Sequence, residues 1–163
     1  MKRVFALALT LVMALSLAAC GGDTQTSGDT STDDTASGDG QTYTVGIIQQ
    51  MQHEALDAAT EGFQAALTEK LGDSVTIEFE NASGDPSNYS TIANNFVSQG
   101  VDLIMANGTS ALQAASTATS TIPILGTSIT EYGVALGIDG FEDTTGFNVS
   151  GTSDLAPLEE QAN

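Results

Sequence analysis

From residue 42 onward, short apolar runs alternate with segments whose apolar positions recur every three or four residues. The run at residues 43–48 predicts a buried strand. Leu56, Ala59, Phe63, Ala66 and Leu67 then mark one face of a helix over residues 53–71. Residues 75–79 alternate as a more exposed strand would. Asp85-Pro86-Ser87 follows with turn chemistry and a helix start, and Ile92, Phe96 and Val97 give that helix its inward face. A third strand is predicted at 101–106, a third helix at 110–119, a fourth strand at 122–125 and a short helix at 134–137. Residues 145–149 read as a fifth strand or the start of a crossover.

Strand and helix taking turns in this way predict an α/β fold, a flavodoxin-like parallel sheet with helices on both faces, joined by right-handed crossovers in the order 2-1-3-4-5. Ligands of such sheets bind beyond the carboxyl ends of the strands. Four loops therefore become candidates: residues 49–53, 81–88, 107–110 and 126–132. All are rich in small or amide side chains.

The first 41 residues follow other rules. Lys2 and Arg3 precede an uncharged run at 4–19 that ends in Leu17-Ala18-Ala19-Cys20-Gly21. At 1.5 Å per residue that run is shorter than the roughly 30 Å hydrocarbon core, so it predicts a signal peptide rather than a permanent membrane helix. Its end resembles a bacterial lipoprotein signal, with Cys20 the residue that carries lipid. The only cysteine is then consumed, and no thiol remains for a disulfide, a metal or a nucleophile. Residues 21–41 are almost entirely Gly, Asp, Thr, Gln and Ser and predict a flexible acidic tether with a reach of about 25 Å.

Charge narrows the partners. All 21 acidic residues follow Cys20, against Lys70 alone among the basic ones. Such a surface repels nucleic acid and anionic lipid, so lipid on Cys20 rather than electrostatics is expected to hold the protein at the membrane.

Catalytic chemistry finds no foothold. There is one histidine, no nucleophile elbow, no phosphate-binding glycine motif and no cluster of metal ligands, so the reading is a protein that is not an enzyme, with no cofactor and no metal. His53 reads either as an exposed first-turn residue or as a ligand contact. Thr109 and Ser110 read either as a helix cap or as a seat for a carboxylate, which helix N-termini favour. Tyr132 and Phe141 could stack on an aromatic ligand or belong to the core.

The ordered series Val45-Gly46-Ile47-Ile48, Gln52-His53-Glu54-Ala55-Leu56-Asp57-Ala58, Gly84-Asp85-Pro86-Ser87-Asn88, Val101-Asp102-Leu103-Ile104, Ala111-Leu112-Gln113-Ala114-Ala115 and Asn148-Val149-Ser150-Gly151-Thr152-Ser153-Asp154 resembles the substrate-binding lipoproteins of ABC importers. It resembles in particular the group associated with tryptophan and other aromatic amino acids, of periplasmic-binding-protein type I-like architecture. The chain departs from that group at Gln52-His53-Glu54, Thr109-Ser110 and Thr130-Glu131-Tyr132, where Glu-His-Pro, Thr-Pro and Thr-Asp-Pro are usual.

The resemblance implies two lobes that close on a solute. The expected organisation is a signal peptide at 1–19, lipidated Cys20 and tether at 20–41, an N-terminal lobe at 42–150, and a hinge crossover with the start of a second lobe at 151–163. That leaves the chain either a fragment of a longer protein or a one-lobe product. Implied partners are a small amino acid-like solute, an ABC permease and the membrane, outside the cytoplasm. The carboxylate of a zwitterion would lie at Thr109 and Ser110 and its ammonium near Glu131 or Asp154, with Gln52, Ser128 and Thr130 adding hydrogen bonds and His53 and Asn88 completing the ligand-binding set. The alternative is a membrane-tethered sensory or interaction domain on the same fold.

Overall fold

The computed structural model describes residues 41–154, all of which belong to one compact unit, Gly38–Asn163. The expectations for the signal segment, Cys20, most of the tether and the end of the chain lie outside the described residues.

Strand β1 (Tyr43–Gln49) leads into helix α1 (Glu54–Leu71), a single 3-10 turn, and β2 (Val75–Asn81). Helix α2 (Pro86–Gln99), β3 (Leu103–Asn107), α3 (Thr109–Ala118), β4 (Ile124–Ile129), α4 (Tyr132–Leu136) and β5 (Val149–Ser153) complete it. The five strands are all parallel and lie in the order β2-β1-β3-β4-β5.

Alternation along the central strands sends residues to two cores, as a parallel sheet covered on both faces requires. Ile48, Ile104, Ala106 and Ile124 pack under α2 and α3, against Phe96, Ile92, Leu112 and Ala115. Val45, Ile47 and Met105 point the other way, beneath Phe63 and Leu67 of α1. Gly46 sits where a Cβ would lie 2.5 Å from the Phe96 ring, so its missing side chain lets α2 settle onto β1.

Element ends differ from expectation for local reasons. β4 extends through residues 126–129, which read as loop because they are small and polar; an irregularity in its pairing with β5 falls there, and Ser128 takes a φ of 56°. β5 begins at Val149, later than the expected 145–149, and runs through residue 150, where the first lobe was expected to end. On α1 the buried residue is the polar Thr60, whereas Ala66 is exposed.

Candidate functional site

All five strands deliver their carboxyl ends to one rim, and the loops after β1, β2, β3 and β4 assemble there with the end of β5. What fixes this rim is a polar cluster beneath it. Gln49 shares the α1-facing side of β1 with Val45 and Ile47, and Asn107 is paired with it across β3. Both are buried, at 1% and 0% exposure. Thr60 Oγ1 donates to Gln49 Oε1 at 2.7 Å and accepts from Asn107 Nδ2 at 2.9 Å. Gln49 Nε2 donates to Asp57 Oδ1 and to the Met51 carbonyl, and Asn107 Nδ2 also reaches the Leu56 carbonyl. Buried amides need such partners. Here the partners belong to α1 and to the loop after β1, so these bonds tie that loop down, while Asn107 Oδ1 is buried with no hydrogen-bond partner among the described residues.

Gln50 is the second organiser. Its N–H donates to the Asn107 carbonyl, and its own carbonyl accepts from the Gly84 N–H and from Tyr89 Oη, at 2.9, 2.9 and 3.1 Å. Its side-chain Oε1 accepts from the Ser110 N–H at 3.1 Å. The residue just before helix α3 is Gly108, which has no side chain to offer as a cap, and a Cβ there would come within 2.6 Å of Gln50 Oε1. The α3 cap therefore comes from β1's loop, not from Thr109 or Ser110, whose side chains stay half-buried at the rim.

The other expected residues fall into three groups. Two are helix caps: His53 Nδ1 accepts from the Ala55 N–H of α1, and the two carboxylate oxygens of Glu131 accept from the Gly133 and Val134 N–H groups of α4. Asn88 Nδ2 donates to the Ala82 carbonyl and so braces the β2–α2 loop. Gln52, Thr130 and Asp154 are exposed at the rim, and Ser128 is half-buried on the irregular end of β4. The Asp154 N–H reaches the Ile129 carbonyl, and Ser153 Oγ reaches that of Thr130, tying β5's end to β4's.

Tyr132 is core rather than rim. Its hydroxyl donates to the Gly126 carbonyl at 2.9 Å, and a Cβ on either Gly126 or its β5 partner Gly151 would overlap it. Its ring stacks at 6.5 Å on Phe141. Burial pushes the Tyr132 hydroxyl above its ordinary pKa, as it does that of Tyr89. Asp85, the α2 cap, is held below the usual carboxylate range by the hydroxyl and N–H of Ser87.

Gln49, Gln50, Thr60 and Tyr89 were not singled out from the sequence. Parity was the available signal: an amide two residues beyond Ile47 must face the same core. Among the described residues no helix is long and apolar enough to cross a membrane, and no group of three metal-ligating side chains gathers.

The chain as a whole matches known proteins. A family described as ABC transporter substrate binding protein matches residues 44–163. A tyrosine-binding protein of Clostridioides difficile is 35% identical over 98% of this chain and 46% of its own length. A ligand-free, open structure of a substrate-binding protein with adhesive properties from Clostridium difficile superposes with a TM-score of 0.67 at 40% identity, over 72% of this chain and 41% of that one. A Streptococcus pneumoniae domain in complex with L-Trp gives 0.64 at 31% identity, over 69% and 39%. The chain thus spans somewhat less than half the length of the curated relative, and the described sheet corresponds to part of a periplasmic-binding-protein fold. By sequence and by fold, it belongs to the ABC transporter substrate-binding proteins, a family of binders rather than a class of enzymes.

Proposed function

We propose that the protein carrying this chain captures a small amino acid-like solute, an aromatic amino acid foremost, outside the cytoplasm and hands it to an ABC permease. The observation that carries the reading is the chemical gradient across the rim. The ends of β1 and β3 bring amides and hydroxyls through Gln50, Gln52, Thr109 and Ser110, while the end of β5 brings the exposed carboxylate of Asp154, with the Glu131 carboxylate close after β4 in sequence but engaged in capping α4. Neighbouring strands lie about 4.8 Å apart. A zwitterion laid across β3 and β4 would direct its carboxylate to the amide end and its ammonium to the acidic end, with Ser128 and Thr130 between. The names of two relatives, one a tyrosine-binding protein and one in complex with L-Trp, favour an aromatic side chain.

In this reading residues 42–150 are the first lobe and 151–163 lead towards the second. A signal peptide at 1–19 and lipid on Cys20 place the protein at the bacterial cell membrane.

The test is a thermal-shift and calorimetric panel of the twenty amino acids on the full-length protein. A ligand at a hundred times its Kd stabilises by about 2.7 kcal/mol, an easily resolved shift. L-Tyrosine or L-tryptophan should give it. No response to any amino acid would remove the capture reading and leave a tethered interaction domain, a role favoured by the adhesive properties of one solved relative.

A further inference from the structure

We infer that Gln50 is the residue that selects a ligand carboxylate, by presenting its amide nitrogen as a donor whose orientation is fixed by helix α3. The inference rests on the solute-binding reading and names a specificity element within that site.

An amide group has one accepting end and one donating end. Its orientation is ordinarily an assignment made from the neighbours, and here the neighbour leaves no choice. The group 3.1 Å from the Gln50 side chain is a backbone N–H, that of Ser110, so the atom facing it must be the oxygen. Nε2 is therefore turned away from the helix start, and it has no hydrogen-bond partner among the described residues. The rest of the residue is held independently, by the Asn107 carbonyl on one side and by the Gly84 N–H and Tyr89 Oη on the other. Gly108 supplies the room, since a Cβ there would lie 2.6 Å from Oε1 and 2.8 Å from Gln50 Cβ. Gly108 also sits at φ 105°, a backbone that other residues rarely adopt.

The consequence is that one of the first N–H groups of α3, that of Ser110, is taken by the chain itself. What Gln50, a half-buried residue directly after β1, has left to offer is the pair of protons on Nε2, polarised by the bond that Oε1 accepts. A pair of donors of this kind suits a carboxylate and rejects an ammonium. The side chain thus converts a helix start into a neutral, directional carboxylate contact without a cation, in a chain whose described basic side chains are Lys70 at the far end of α1 and the capping His53.

The experiment compares wild type, Gln50→Glu and Gln50→Ala in the full-length protein, titrated by calorimetry with L-tyrosine and with tyramine, its analogue lacking the carboxylate. Gln50→Glu keeps an oxygen for the Ser110 N–H and so preserves the cap, while replacing the donors by a second acceptor of like charge to the ligand. L-Tyrosine affinity should fall at least about tenfold in this variant, with tyramine binding unchanged or tighter. Gln50→Ala should lose part of the L-tyrosine affinity and none of tyramine's. Equal losses for both ligands in Gln50→Glu would mean that Gln50 only holds the loop, and undiminished L-tyrosine binding would mean that it faces no carboxylate; either overturns the inference. Failure of the wild type to bind any amino acid overturns the solute-binding reading and this inference with it. Intact wild-type binding of L-tyrosine with no effect of Gln50→Glu overturns the inference alone.

Discussion

Thr60→Val isolates the polar cluster under the rim from the packing around it. Valine matches threonine in shape and nearly in helix propensity, so the change replaces a hydroxyl by a methyl and little else. Two bonds disappear: the 2.7 Å donation to Gln49 Oε1 and the 2.9 Å acceptance from Asn107 Nδ2. Asn107 keeps the Leu56 carbonyl as a partner for Nδ2, but Gln49 Oε1 loses the donor it has and sits on a residue only 1% exposed. A buried acceptor stripped of its donor costs about 1 to 3 kcal/mol, so with the second lost bond the variant should be less stable by about 2 to 3 kcal/mol. Urea unfolding followed by circular dichroism reads this directly: at about 1 to 3 kcal/mol per molar, the midpoint should fall by roughly 0.7 to 3 M. Thr60→Ser is the control. It keeps the hydroxyl and loses a methyl, and should cost about 1 kcal/mol or less. Should the valine variant prove as stable as wild type while serine is the weaker of the two, packing rather than hydrogen bonding holds α1 over β1 and β3, and the polar cluster is not the rim's support.

Other perturbations have equally definite outcomes. Gly46→Ala should destabilise by about 1 to 3 kcal/mol in the same assay, because its Cβ meets the Phe96 ring at 2.5 Å, and Phe96→Leu in the same chain should recover part of the loss. Gly108→Ala should weaken both stability and L-tyrosine affinity, since it strains φ 105° and expels Gln50 from the Ser110 N–H; calorimetry alongside denaturation separates the two. Tyr132→Phe tests alkaline behaviour. The folded-state pKa of this hydroxyl is raised by burial, so its contribution is complete below the unfolded value of about 10 and is lost as pH rises through the folded one. Wild-type stability should therefore fall above about pH 10 more steeply than that of Tyr132→Phe, although Tyr89, shifted the same way, keeps some slope in both.

Much of the architecture was legible in the pattern of apolar positions. Strand order and helix positions follow from short runs and three-to-four spacing, because a parallel sheet with crossovers leaves few arrangements open. The end of β4 reads as loop because Gly126, Thr127 and Ser128 have a turn's composition; they form a strand because β3 and β5 pair with it on either side and Tyr132 fills the space over Gly126. The position of the rim was equally legible, since it depends on topology. The jobs of its residues were not. Glu131 and His53 look like ligand groups but sit one residue before a helix, where a side-chain acceptor is claimed by backbone N–H groups. Gln50 looks like loop filling. Its role depends on a glycine 58 positions later in the chain, and no local pattern encodes such a meeting.

Because β5 runs parallel to its neighbours, the polypeptide departs from this lobe at the same rim where a solute would rest. The last bonds of that strand, from Ser153 to Thr130 and from Asp154 to Ile129, are made to residues directly preceding Glu131. In the proposed reading, a pivot for the chain beyond β5 would lie close along the rim to the place given to the ligand's ammonium. A swing about so near a fulcrum would move distant parts a long way while barely disturbing the groups proposed to hold the guest. On that reading, substitutions at the end of β4 should shift affinity and closure together, rather than one without the other.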